Sequence, residues 1–156
     1  MARMVLNETS YFGAGCRKEV AGELARRNMK KAFVVTDKDL VKFGVAKKVT
    51  DVLDEAKVAY DIFDDVKANP TIANVKNGLA AFKKSKADVI IAIGGGSVID
   101  TAKAIGIIAE NPEFADVKSL EGTADTKNKS FPVIAFATTS GTAAEVTINY
   151  VITDEE

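Results

Sequence analysis

Gly94, Gly95, Gly96 and Ser97 follow the apolar run 89–93 and precede a helical pattern that opens Val98-Ile99-Asp100-Thr101-Ala102-Lys103. Glycines at the end of a β-branched strand let the backbone turn with positive φ and leave no Cβ between its amides and an incoming group. The helix beyond them offers unpaired N–H groups and the positive end of its macrodipole. Together they form an anion site that needs no basic side chain, suited to a phosphate or diphosphate. Ser97 and Asp100 also have the spacing of a capping box, with Asp in place of Glu or Gln, and a plain helix start explains that pair equally well. A cap needs none of the glycines. Asp100 would repel a diphosphate, so any ligand contact it makes is as an acceptor from hydroxyls or amides.

A second group of polar side chains ends the apolar run 132–136. Thr138, Thr139, Ser140 and Thr142 place four hydroxyls within five residues, more than one cap requires, and they can bond ligand hydroxyls or phosphate oxygens. Thr142 and Glu145 again have capping-box spacing, which predicts a helix start there. Asp37 closes the run 33–36, where it suits an N-cap for residues 38–41 or a carboxylate accepting from both hydroxyls of an adenosine ribose. In the second role it would repel a 2′-phosphate, favouring NAD over NADP. Asn69-Pro70-Thr71 reads as a turn and helix start, with Pro70 biasing Asn69 to extended geometry and Thr71 capping.

Strand-length apolar runs at 32–35, 59–63, 89–93 and 132–136 must carry these residues. Helical periodicity separates them. Val20, Leu24 and Ala25 share a face in 18–28; Val45, Val49, Val52, Leu53 and Ala56 in 45–56; Val75, Leu79 and Phe82 in 71–84. Alternating strands and helices predict an α/β fold: a Rossmann-like, doubly wound, mainly parallel sheet. The runs at 89 and 132 are apolar on both faces and are expected to be central strands covered on each side. Ligands of such sheets lie outside the carboxyl ends of the strands, so one crevice can hold both polar groups. Residues 4–7 and 9–13 read as a short strand pair, at an edge or a dimer contact, and 147–153 as a further strand. No linker, repeat or low-complexity segment divides the chain, and 1–156 is expected to form one dinucleotide-binding domain.

Lys and Arg number 21 against 22 Asp and Glu, interspersed, which argues against nucleic acid or a membrane surface as the main partner. No apolar stretch approaches the roughly 18 residues of a membrane span, and the first residues lack a signal-peptide core, so a cytoplasmic location is expected. Cys16 is the single cysteine and histidine is missing altogether, leaving the usual nitrogen and sulfur metal ligands almost absent.

Four segments, GGGSVIDTAKAIG, ATTSGTAAEVT, VVTDKDLVKFG and DDVKANPT, resemble the iron-dependent alcohol dehydrogenase family in content, order and spacing. The resemblance implies that Asp37 binds the adenosine ribose and that Gly95, Gly96 and Ser97 bind the pyrophosphate. Asn69, Thr138, Thr139, Thr142 and Val151 would line the rest of the groove, with Asp100 ordering the glycine loop. In that family a second, all-helical domain supplies an aspartate and three histidines for Fe²⁺, or sometimes Zn²⁺. The resemblance therefore makes residues 1–156 an NAD-binding half whose catalytic and metal residues lie elsewhere, acting on small alcohols and aldehydes when complete and binding NAD(H) without turnover by itself. A face left without that second domain favours association, and a homo-oligomer, first of all a dimer, is expected. Two other readings stand beside this one. Glycine-rich loops also serve non-catalytic nucleotide-binding or sensing modules, although no G-x-x-x-x-G-K-[ST] motif is present, and the wider superfamily includes polyol-phosphate dehydrogenases and dehydroquinate synthase-like cyclases.

Overall fold

Alternation along each strand divides the core into two layers on opposite faces of one sheet. In a computed structural model, which describes residues 8–122 and 124–155, helix α1 (Glu19–Arg26) leads into strand β1 (Lys31–Val35), followed by helices α2 (Lys38–Lys42) and α3 (Lys47–Glu55). Strand β2 (Ala59–Phe63), helix α4 (Ile72–Ser85), strand β3 (Val89–Gly94), helix α5 (Gly96–Glu110) and strand β4 (Val133–Ala137) complete the order. The sheet runs β2-β1-β3-β4 with every pair parallel. Ala32 and Val34 of β1 join Ile91 and Ile93 of β3 against Val20, Leu24, Val49 and Leu53 from α1 and α3. Phe33 and Val35, with Ile90 and Ala92, face Val75, Leu79, Phe82, Ile99 and Ile105 from α4 and α5. The chain moves outward from β1 to β2, then back across β1 to β3. With right-handed crossovers, that reversal sends α3 to one face and α4 and α5 to the other. The sheet is doubly wound, as the alternation of strand and helix predicts.

Three expectations need correction. β3 is buried along its whole length, but β4 is only partly buried and lies at the edge, with no strand on its outer side among the described residues. The apolar character of run 132–136 marks both faces correctly without saying how many neighbours it has. Segment 147–153 does not form a strand: it makes an isolated parallel bridge, Thr71 to Thr153. Its alternation is real, but its backbone is tied to side chains of α5 and to the backbone of residues 70–72 instead of a neighbouring strand. Residues 9–13 are not a strand either, and residues 4–7, their predicted partner, lie outside the described residues. Among the described residues no helix is long and apolar enough to cross a membrane.

Candidate functional site at the carboxyl edge of the sheet

Strand register brings the predicted residues to one edge. Val35 pairs with Ala92 and Gly94 with Ala137, so Asp37, Gly95 and Thr138 leave three adjacent strands at the same end. Neighbouring strands stand ~4.8 Å apart, which spreads these residues over about 10 Å. The buried Thr36 fixes the first step, its Oγ1 donating to the Ile93 carbonyl at 2.8 Å. Thr138 fixes the second, donating its amide to the Gly94 carbonyl at 3.0 Å. The chain leaves β1 towards β2 and leaves β3 towards β4, in opposite directions. Asp37 and Gly95 therefore flank the topological switch point, where open parallel sheets bind their ligands.

The glycines act differently from expectation. None of Gly94, Gly95 and Gly96 has positive φ; Gly95 is extended, at φ −83° and ψ −166°. Close approach is the reason for glycine instead. A Cβ on Gly94 would stand 2.5 Å from Val98 Cγ2, one on Gly95 2.7 Å from Thr139 Oγ1, and one on Gly96 3.1 Å from Thr142 Oγ1 and Cγ2. The two predicted polar groups thus meet directly, with the threonine loop lying over the glycine backbone. Gly95–Ser97 remain half-buried and Thr138, Thr139 and Thr142 are exposed, so the junction is open to solvent.

α5 begins at Gly96, with Gly95 as an N-cap that has no side-chain partner. Its first intrahelical bond runs from the Ile99 amide to the Gly95 carbonyl at 3.1 Å. The amides of Gly96, Ser97 and Val98 precede that ladder and are the donors a helix start presents to an anion. The Ser97–Asp100 capping box does not form, because Ser97 is already inside the first turn, where its carbonyl accepts from Thr101 Oγ1 at 2.8 Å. Asp100 serves another segment: Oδ2 accepts the Val151 amide at 3.1 Å.

Lys103, which sequence reasoning passed over, lies beside it. Its Nζ donates to the Asn149 carbonyl at 2.9 Å and to Thr147 Oγ1 at 3.3 Å, and stands 3.8 Å from Asp100 Oδ1. Burial pulls its pKa below the ordinary lysine value, opposed by the carboxylates of Asp100 and Glu145. A lysine within the apolar face of α5, three residues after an aspartate, is the signal that could have identified it.

Asp37 takes its capping role: Oδ1 accepts the Leu40 amide at 2.8 Å at the start of α2. Asn69 is exposed and left-handed, φ +55°, not extended as the following proline predicts. Asparagine is among the few residues that adopt this conformation readily. Thr71 caps α4 as expected, accepting the Asn74 amide at 3.3 Å. Buried Asn74, also missed in the sequence, holds the preceding loop through the Asp65 carbonyl at 2.8 Å and the Lys67 amide at 3.2 Å. No helix starts at Thr142. Its Oγ1 accepts the Ala144 amide at 3.3 Å, and Ala143 is left-handed at φ +53°, which bends the chain into a turn.

A larger hollow, about 1730 Å³, lies elsewhere, along the free side of β4, and of the predicted cofactor residues only Val151 lines it among those described. The glycine–threonine junction at the switch point has the backbone donors a phosphate needs; in the hollow, apolar side chains such as Phe12, Phe131 and Ile148 share the lining with charged ones such as Arg27, Lys103 and Lys118. Among the described residues no cluster of three or more His, Cys, Asp and Glu side chains is placed to hold a metal ion.

Comparison with known proteins agrees with the fold and the motifs. The family model for iron-containing alcohol dehydrogenase matches residues 7–156. The chain is 60% identical over 154 residues to lactaldehyde reductase of Escherichia coli (strain K12), covering 99% of this chain and 40% of that protein. It is 36% identical over 154 residues to the NAD-dependent methanol dehydrogenase of Bacillus methanolicus, covering 99% of this chain and 40% of the relative. The solved structure of an alcohol dehydrogenase from Oenococcus oeni superposes with a TM-score of 0.93 at 36% identity, over 100% of this chain and 41% of that one. This chain thus spans about 40% of the length of the relatives it matches.

Proposed function

Because this chain belongs to the iron-containing alcohol dehydrogenase family, we propose that its residues form the NAD(H)-holding part of an oxidoreductase interconverting short aldehydes and alcohols, with lactaldehyde and 1,2-propanediol as the pair. The observation that supports this best is the glycine–threonine contact at the switch point. Bare backbone at Gly95 and Gly96, under Thr139 and Thr142, leads directly into the free amides of a long helix. In this reading the diphosphate takes the amides of Gly96, Ser97 and Val98, whose dipoles are fixed before the ligand arrives. Asp37 keeps one carboxylate oxygen on the Leu40 amide and offers the other to the ribose hydroxyls. Thr138, Thr139 and Thr142 supply hydroxyls along the dinucleotide, with Asn69 and Val151 at its flanks. Bound NAD supplies a carbon that accepts or donates hydride; these residues hold it in place. The 156 residues contain no histidine to stand in for the family's metal ligands, so binding without turnover is proposed for them alone.

Fluorescence titration of the chain with NADH, NADPH and ATP tests the reading. NADH should bind, and NADPH should bind at least roughly tenfold more weakly, about 1.4 kcal/mol, because its 2′-phosphate meets the Asp37 carboxylate. Addition of lactaldehyde and Fe²⁺ should leave NADH unoxidised. Preference for NADPH overturns the role of Asp37, equal affinity for ATP favours a general nucleotide-binding module, and steady turnover overturns the division of labour.

A further inference from the structure

We propose that the ion pair between Lys38 and Asp65 reinforces the choice of NAD(H), by tying down the cation next to Asp37 in sequence and so withholding it from the 2′-phosphate of NADP(H). This rests on the dinucleotide reading above. A nearby cation is what accommodates a 2′-phosphate in dinucleotide folds, and Lys38 is placed to be one. Its Cα lies about 3.8 Å from that of Asp37, across one peptide bond, and its four-carbon stem is flexible. The ammonium is nevertheless engaged elsewhere: Lys38 Nζ donates to Asp65 Oδ1 at 2.8 Å.

Asp65 is an anchor that does not follow the lysine. Its backbone bridges Asp37 in antiparallel register, its carbonyl accepts Asn74 Nδ2 at 2.8 Å, and the next amide, of Val66, donates to the Thr36 carbonyl at 3.4 Å. Asn74 and Val66 are both buried, so the loop that carries Asp65 is held from beneath. Each charge favours the ionised form of the other: the Asp65 carboxylate pushes the Lys38 pKa up, and the Lys38 ammonium pulls the Asp65 pKa down. Asp64 adds to the pull on Lys38. Exposure limits the strength of the tether. The Lys38 side chain is 71% exposed and that of Asp65 46%, a setting in which an ion pair is weak and screened by salt. The tether therefore adjusts cofactor preference a few-fold, on top of the repulsion that Asp37 itself exerts.

Titration of the full chain with NADH and NADPH at low ionic strength tests this. Asp65→Asn removes the charge that holds Lys38 and leaves the backbone anchors in place. NADPH binding should tighten about threefold to fivefold, the range an exposed ion pair can supply, with NADH affinity unchanged. Adding Lys38→Met to Asp65→Asn should cancel the gain, whereas adding Lys38→Arg should keep it. Lys38→Met by itself should alter neither affinity, because the tether already withholds the ammonium. High salt should erase the gain in Asp65→Asn. Unchanged NADPH affinity in Asp65→Asn overturns the proposal. So does a gain that survives Lys38→Met, since loss of one negative charge would then explain it without the lysine. Failure of the unsubstituted chain to bind either cofactor overturns instead the dinucleotide reading, and with it the link to cofactor choice. NMR of the lysine side-chain nitrogens still decides whether the tether exists: the Lys38 Nζ resonance should move on Asp65→Asn, and an unmoved resonance overturns the pair.

Discussion

A methyl group added at Gly95 would stand 2.7 Å from Thr139 Oγ1, closer than Cβ atoms approach other heavy atoms, so Gly95→Ala must push the threonine loop off the helix start. Overpacking of this kind costs about 1–3 kcal/mol, readable as a lower urea midpoint, and NADH binding should weaken with it. Thr139→Ala in the same chain should return most of the lost stability, because the two residues share one contact. If the glycine served only a ligand's approach, removal of Thr139 would restore nothing. Glu23 offers a test by pH. The Tyr11 hydroxyl, then the Arg26 guanidinium, hold its carboxyl at about 2, against an ordinary value of 4.5. A depressed carboxyl stabilises the fold above its unfolded value, because the unfolded chain takes up the proton first as pH falls. The contribution should therefore be complete above 4.5, fade as pH falls from there and be gone below about 2. Tyr11→Phe should raise the Glu23 pKa in a carbon-detected NMR titration and move this loss to higher pH; an unmoved titration would show that the hydroxyl contributes nothing.

At the scale of elements, caps and apolar periodicity do most of the positioning, and both could be read from the sequence. Thr71 caps α4 and Asp37 caps α2, as their residue types predict. Thr71→Ala should cost ~1 kcal/mol in urea unfolding. Asp37→Asn separates the two jobs of that side chain: it retains an oxygen for the Leu40 amide and loses the charge. Stability should hold within a few tenths of a kcal/mol while discrimination against NADPH disappears; a stable variant that still rejects NADPH would remove Asp37 from the ribose site. Strands β1 and β3 coincide closely with the apolar runs, since buried parallel strands have few other ways to be composed, and the largely exposed edge strand β2 coincides with its run as well. Contacts between distant elements decided what could not be read. Capping-box spacing at Ser97 and Thr142 matched a local pattern, but α5 begins one residue before Ser97, and the left-handed Ala143 ends any helix after Thr142. Segment 147–153 alternates like a strand, yet Asp100 and Lys103, some fifty residues earlier, take its backbone groups. No window of local sequence contains that exchange. Likewise the close approach that calls for glycine at Gly95 and Gly96 became visible only with Thr139 and Thr142 beside them.

Across the whole molecule the two edges of the sheet differ, and the difference bears on assembly. β2 is guarded: Asp61 on it pairs with Lys31 at 2.8 Å, and charges of this kind discourage edge-to-edge pairing. β4, Val133-Ile134-Ala135-Phe136-Ala137, has no charge and no strand beyond it among the described residues. Its free side opens on the hollow of about 1730 Å³, bordered by Phe12 and Ile148, which are 89% and 74% exposed. Apolar surface next to unpaired backbone groups favours a partner in water, and we propose a second copy of the chain in that position, as a dimer. Sedimentation velocity over a hundredfold range of concentration should show a monomer giving way to a dimer. Phe12→Lys combined with Ile148→Lys should shift that equilibrium towards monomer, since both side chains are already largely in solvent and their replacement costs the fold little. Salt should then distinguish the causes: association driven by the apolar border persists at high ionic strength in the unsubstituted chain, whereas the repulsion introduced by the lysines is screened and association partly returns. A monomer at every concentration would leave the β4 edge to be covered by something other than a second copy.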